Sequence, residues 1–213
     1  MIAVVDYRKG NLSSVQRGLQ DAGLDARITD EAAAIARARA IVLPGVGSFA
    51  DAAGSMEQLG QMEVLRQRIA AGVPFLGICL GMHLLFQGGS EHAAPGAPTP
   101  GLGVIPGTVD ALPAADGAGR TYKIPHVGWN NVDQCVPGNP LFAGIADGEY
   151  FYFTHSYAAP PCSAAIATAT HSVEFPCAVQ VGEACFGVQF HPEKSSDAGA
   201  ALLRNFAAIA NRP

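Results

Sequence analysis

Two short segments carry the residue types that amide hydrolysis through a thiol requires. Pro74-Phe-Leu-Gly-Ile-Cys79-Leu-Gly-Met-His-Leu-Leu-Phe86 sets a cysteine between glycines at 77 and 81, where a short apolar run gives way to a helical pattern. A nucleophile on a sharp strand-to-helix turn is crowded two residues to either side, so glycine is the residue type such a turn needs at both positions. A helix N-terminus just after it would favour the anionic sulfur. The same pattern also fits a buried core cysteine flanked by glycines for close packing, because free cysteine is among the most buried residue types.

The second segment, Ala184-Cys-Phe-Gly-Val-Gln-Phe-His191-Pro-Glu193-Lys-Ser, ends an apolar strand in a histidine and a carboxylate. A thiolate needs a base able to return a proton to the leaving amine, and that base needs a partner to fix its tautomer and orientation. His191 and Glu193 fit those roles, and Pro192 restricts the backbone between them. Alone, His-Pro-Glu also reads as the polar end of a strand; together with the cysteine it predicts a Cys79-His191-Glu193 triad. A third segment, Ile41-Val-Leu-Pro44-Gly45-Val46-Gly47, runs a strand into a glycine-rich turn. Backbone N–H groups of Gly45, Val46 and Gly47, beside that of Leu80, would suit a developing oxyanion. An ordinary βα turn is the other reading. Ligand sites of open α/β sheets gather at the carboxyl ends of strands, where both this turn and Cys79 are expected.

The elements that must position these groups follow from periodicity. Strands are expected at Ile2 to Val5, Ala40 to Leu43 and Pro74 to Ile78, and helices at Leu12 to Ala22, Phe49 to Leu59, Met62 to Ala71 and Leu80 to Phe86. Glu91 to Gly119, rich in Ala, Pro, Gly and Thr, reads as loop with one strand at most. Beyond it, Tyr122 to Val132, Glu149 to Tyr157, Ala164 to Ala169, Ala178 to Val181 and Cys185 to Phe190 read as strands joined by turns, which suggests antiparallel pairing. Ala198 to Ala210 reads as a final amphipathic helix. The expectation is an α/β fold: a mostly parallel, doubly wound sheet flanked by helices, with added antiparallel strands in the C-terminal half.

Composition narrows the function. The 213 residues, 49% apolar and 15% charged, suit one domain, 1–213, with a sizeable core. A net charge of −5 with 13 scattered Lys and Arg argues against nucleic acid as a partner. No apolar run approaches a membrane span and the chain enters its first apolar run without a charged leader, so a cytoplasmic protein with no membrane partner is expected. Five cysteines form no even framework and no C-x-x-C pair, so neither disulfides, a metal nor another cofactor is expected.

The glycine-rich turn, the G-x-C-x-G elbow and the terminal His-Pro-Glu, in that order, resemble the class I, triad-type glutamine amidotransferases. Within that family the chain is similar from end to end to the glutaminase subunits of imidazole glycerol phosphate synthase. That finer resemblance is carried by Val5-Asp-Tyr-Arg-Lys-Gly-Asn-Leu-Ser-Ser-Val15, Leu43-Pro-Gly-Val-Gly-Ser-Phe49, Lys123-Ile-Pro-His-Val-Gly-Trp-Asn130 and Tyr152-Phe-Thr-His-Ser-Tyr157. The resemblance implies a heterodimer in which ammonia from glutamine passes to a (β/α)8-barrel cyclase subunit. It also implies that Glu91 receives the glutamine α-amino group, that Ser156 and Tyr157 line the substrate pocket, and that Asn11, Trp129, Tyr152 and Lys194 face the cyclase.

Two positions depart from the family pattern. His83 stands where a glutamine usually contacts the substrate, one helical turn beyond Cys79, so it should border the pocket and could make glutamine binding pH-dependent. Asp6-Tyr-Arg-Lys-Gly carries more charge than relatives do. Two rival readings keep parts of the pattern: a glutaminase or γ-glutamyl hydrolase serving another pathway, and a degenerate, non-enzymatic subunit. Trp129 and the His155-Ser156-Tyr157 run weigh against the first, and the intact triad against the second.

Overall fold

The computed structural model describes residues 1–8, 12–94 and 96–212. Its spine is a nine-stranded sheet in the order β2-β1-β3-β4-β13-β12-β11-β8-β9. Four fully buried strands form the middle, β1 (Ile2–Val5), β3 (Ala40–Gly45), β4 (Phe75–Cys79) and β13 (Cys185–Val188), and they pair in parallel. Burial on both faces explains why they read as continuous apolar runs rather than alternating ones. β2 (Ala26–Thr29) adds a parallel edge.

Beyond β13 the pairing turns antiparallel through β12 (Glu174–Val181), β11 (Ala165–Thr170), β8 (His126–Gln134) and β9 (Glu149–His155). Successive side chains of β1 enter opposite cores. Ile2 and Val4 pack with Val15 and Leu19 of α1 (Leu12–Asp21) and Leu202, Leu203 and Phe206 of α6 (Ser196–Ala210). Ala3 and Val5 pack with Ile35 of α2 (Ala32–Arg37), Met56 of α3 (Phe49–Gln58) and Leu65 of α4 (Gln61–Ala70). Helices therefore cover both faces, as the alternation of apolar runs led one to expect.

Two local expectations fail. The helix after Cys79 is a single turn, α5 (Leu80–His83), not a run to Phe86. Carbonyls that would continue it are taken by a later segment: Leu84 O accepts from Leu102 N at 2.7 Å, and Leu85 O accepts from Val104 and Ile105 N at 2.9 Å. The supposed loop from Glu91 onward instead supplies most of a second, four-stranded sheet, ordered β10-β7-β5-β6. Its strands are β5 (Phe86–Ala94), β6 (Ala97–Pro100), β7 (Ile105–Ala111) and β10 (Tyr157–Ala158). One of the glycines that suggested loop serves close approach: a Cβ on Gly101 would overlap Phe86 O on β5. The edge strand β2 and the helix α2, at four and six residues, are too short to register in the sequence pattern.

Candidate active site

Cys79 ends β4 at φ 53° and ψ −110°, a backbone conformation that few non-glycine residues adopt. Glycines on both sides make room for it. A Cβ on Gly77 would fall 2.5 Å from Gly81 O, and one on Gly81 would overlap Leu43 O on the neighbouring strand. Gly45 lies opposite Cys79 in the β3-β4 register, and a Cβ there would come within 2.6 Å of the Tyr7 hydroxyl and 2.8 Å of Leu80 Cβ. The elbow is thus fixed by packing, and α5 is too short to contribute much of a helix dipole.

His191 and Glu193 flank Pro192 where the chain leaves β13, in a single 3-10 turn. His191 Nδ1 donates to Glu193 Oε1 at 2.9 Å, with both side chains only 4% exposed. The turn is clamped to β9: His191 N donates to Tyr152 O (2.9 Å), Ser195 Oγ donates to His191 O (2.6 Å), and Tyr152 N donates to Ser195 Oγ (3.0 Å). Burial disfavours an imidazolium here, but neighbouring Cys79 and Glu193 outweigh it and raise the His191 pKa to about 9. Among the described residues His191 Nε2 has no hydrogen-bond partner. A donor held in that state, beside a sulfur, is equipped to deliver a proton to a leaving group.

A cavity of about 290 Å³ opens over the sulfur. Its walls bring together Cys79, His191, Val46, Gly47, Leu80, His83, Glu91, Ser156, Tyr157 and Lys194, with Thr154 and His155 added. Gly45 and Glu193 lie behind the wall with Val46 and His191. The larger hollow, about 810 Å³, lies at the opposite ends of β4 and β13, lined by Pro74, Cys185 and Ile209. Burial pushes the Cys185 thiol up to about 12, and among the described residues no histidine lines that hollow, so the smaller cavity is the better candidate for chemistry.

Two of the cavity residues also make hydrogen bonds within the protein. Glu91 Oε2 accepts from Phe49 N at 2.9 Å, so this carboxylate helps Ser48 cap α3 while also bordering the cavity. His83 is buried, and its Nε2 lies 2.6 Å from Gln189 Oε1. Burial lowers its pKa to about 4, so it stays neutral near pH 7 and cannot give glutamine binding a pH dependence in that range. Gln189, fully buried with Nε2 3.8 Å from Cys79 Sγ, is a site residue that the sequence patterns above do not reach. Its signal is a polar residue closing an apolar strand two positions before His191.

Trp129 and Tyr152 face one another across β8 and β9, their rings 6.2 Å apart at 77°. Lys194 Nζ stands 5.8 Å from the Tyr152 ring. Trp129 is 50% exposed, which separates it from the core aromatics. Asn11 lies outside the described residues.

A histidine ladder supports the far wall. His155 Nδ1 donates to Tyr157 O at 2.8 Å, and His126 Nδ1 lies 3.0 Å from His155 Nε2. Since a carbonyl can only accept, His155 carries its proton on Nδ1 and accepts from His126 on Nε2. Burial lowers both pKa values, His126 to about 4 and His155 to about 3. With His83 they form three sites at which the unfolded chain, near 6.5, binds protons that the native state refuses. Their stabilisation is complete above pH 6.5 and is lost as pH falls toward 4. His191 has the opposite sign: its contribution is complete below 6.5 and is lost as pH rises through about 9. Calorimetric melting should therefore give a temperature that falls below pH 6.5, each proton steepening the loss by up to about 1.4 kcal/mol per pH unit. A flat melting temperature between pH 6.5 and 4.5 would contradict this.

A mixed α/β sheet carrying a strained cysteine elbow, with a His-Glu pair just beyond the end of the adjacent strand, is an arrangement suited to amide hydrolysis through a thiol. The family described as Glutamine amidotransferase class-I matches residues 3–210, and the chain belongs to it. Within it, the chain is similar to "Imidazole glycerol phosphate synthase subunit HisH" of Moorella thermoacetica, 44% identical over 96% of this chain and 93% of that protein. The protein of the same name from Shouchella clausii is 41% identical, over 97% of each. A solved structure described as a glutamine amidotransferase shares the fold at TM-score 0.73 and 18% identity, covering 100% of both chains. A putative GMP synthase protein from Thermoplasma acidophilum aligns at TM-score 0.66 and 21% identity, over 98% of this chain and 92% of the other. Among the described residues no helix is long and apolar enough to cross a membrane.

Proposed function

We propose that this chain, acting as one domain over 1–213 in the cytoplasm, is the glutaminase subunit of an imidazole glycerol phosphate synthase and works through Cys79, His191 and Glu193. The Cys79 thiolate attacks the side-chain amide carbon of glutamine. His191 passes a proton to the departing nitrogen, leaving a thioester on sulfur, and then takes a proton from the water that cleaves it. Glutamine and water thus become glutamate and ammonia. Glu193 holds the imidazole in the required tautomer, and the Gly45-Val46-Gly47 turn with the Leu80 N–H serves the oxyanion. Glu91, Ser156 and Tyr157 shape the pocket for the amino acid. The observation that carries the reading is Cys79 at φ 53° on the cavity wall beside a His191-Glu193 pair 2.9 Å apart.

Ammonia is delivered to a (β/α)8-barrel cyclase, bound as the other half of a heterodimer, which forms imidazole glycerol phosphate and an aminoimidazole carboxamide ribotide. The names of the relatives support this step, as does the exposed patch of Trp129, Tyr152 and Lys194 that runs to the cavity edge. Asn11 belongs to the same proposed contact. Glutamate release should be slow for the isolated chain and rise at least about tenfold with the cyclase and its ribotide ligand, in keeping with a coupling of about 1–3 kcal/mol or more. Equal rates with and without the partner would overturn the assignment to this synthase.

A further inference from the structure

The nucleophile's sulfur has an incomplete set of neighbours. Thr154 O lies 4.0 Å from Cys79 Sγ, where it can accept from a thiol but faces a thiolate unfavourably. The side-chain donor at hydrogen-bond range is Gln189 Nε2, at a separation of 3.8 Å, in keeping with sulfur's large radius. Gln189 cannot orient itself, because a primary amide presents donor and acceptor with nearly equal shape. His83 removes the ambiguity through the 2.6 Å contact of its Nε2 with Gln189 Oε1. An anionic sulfur accepts and never donates, so the amide N–H must face it, the amide oxygen must face His83, and His83 must carry its proton on Nε2.

We propose that Gln189 donates a hydrogen bond to the Cys79 thiolate, and that His83 is a positioning residue that locks the Gln189 amide for this task rather than a ligand of the substrate. This rests on the reading of Cys79 as the nucleophile. Both side chains are buried, so the chain His83 to Gln189 to Cys79 runs in a medium where a bond to a charged atom is worth more than in water. A neutral His83 has a single N–H, and it is the tautomer protonated on Nε2 that serves Gln189 across the 2.6 Å contact. Among the described residues, the remaining titratable groups around the sulfur are His191, Glu91, His155, Tyr157 and Lys194 on the cavity wall, Glu193 beside His191, and Tyr7 beneath the turn. None is altered by the changes below. The departure at position 83 then preserves a donor: a glutamine there could serve Gln189 through its own amide N–H.

Alkylation of Cys79 by iodoacetamide at pH 7, followed on the Cys79 peptide by mass spectrometry in the full chain, reads the effect directly. Gln189→Met should slow alkylation roughly ten- to hundredfold, the range for a bond to a charged group. It should lower kcat for glutamine with KM unchanged. His83→Met should slow it less, and should add nothing in the Gln189→Met background, because its action passes through Gln189. His83→Gln should restore the native rate. If Gln189→Met folds poorly, His83→Met/Gln189→Met replaces both partners by apolar groups and keeps the core filled. Native alkylation in either folded variant would overturn the proposal. Cys79→Ala separates the two readings: if it still hydrolyses glutamine, the proposed nucleophile is wrong, whereas a dead Cys79→Ala beside a normal Gln189→Met removes only the role given to Gln189.

Discussion

Cys79→Ala is expected to abolish glutamine-dependent synthesis by the complex, by roughly 10⁴-fold or more, while synthesis from added ammonia continues at its native rate. In the proposed mechanism the sulfur forms and breaks the covalent bond to the substrate, whereas the cyclase reaction needs ammonia and not its source. His191→Ala should cost a similar factor, and Cys79→Ala/His191→Ala no more than either single change, because residues that act as a unit do not contribute additively. Glu193→Gln should cost less. It leaves an oxygen able to accept from His191 Nδ1, now at 2.9 Å, but removes the negative charge that helps raise the His191 pKa to about 9. The pH profile of glutamine hydrolysis should therefore move toward lower pH on its basic side. Additive losses in the double variant, or ammonia-dependent synthesis that falls with Cys79→Ala, would contradict this arrangement.

What the sequence disclosed about the site depended on spacing within single segments. Cys79 between Gly77 and Gly81, and His191 two residues from Glu193, could be read because local backbone geometry alone brings those groups into relation. The four central strands were legible for a similar reason, since burial on both faces leaves only apolar residues. The Gln189 contact was not legible. It joins positions 83, 189 and 79, and only the pairing of β13 beside β4 brings them together. The second sheet was hidden by composition: glycines such as Gly101 and Gly107 suggested turns, although Cβ atoms there would meet Phe86 O and the Pro160 ring. The length of α5 was equally out of reach, because the donors at 102, 104 and 105 that end it come from a segment read as loop.

Gly81→Ala should be the most destabilising alanine substitution in the turn, at about 3 to 5 kcal/mol. The added methyl would occupy the place of Leu43 O, and that oxygen belongs to backbone of a buried strand rather than to a flexible side chain. No rotamer change can relieve the overlap, so β3 and the elbow must separate. For a domain of this size, about 2–4 °C per kcal/mol corresponds to a fall in melting temperature of roughly 10 °C. Separation would also carry Leu80 N–H away from the Gly45-Val46-Gly47 turn, so glutamine hydrolysis should be lost even at temperatures where the variant is folded. Gly54→Ala is the matching control. Gly54 lies exposed within α3 with nothing near its missing Cβ, and alanine there should stabilise the helix by about 0.5–1 kcal/mol. The two substitutions add the same methyl group, so opposite shifts in melting temperature would isolate strand contact at Gly81 as the cause. A Gly81→Ala variant that melts with the wild type would mean that β3 and the elbow do not approach one another closely enough to form the site.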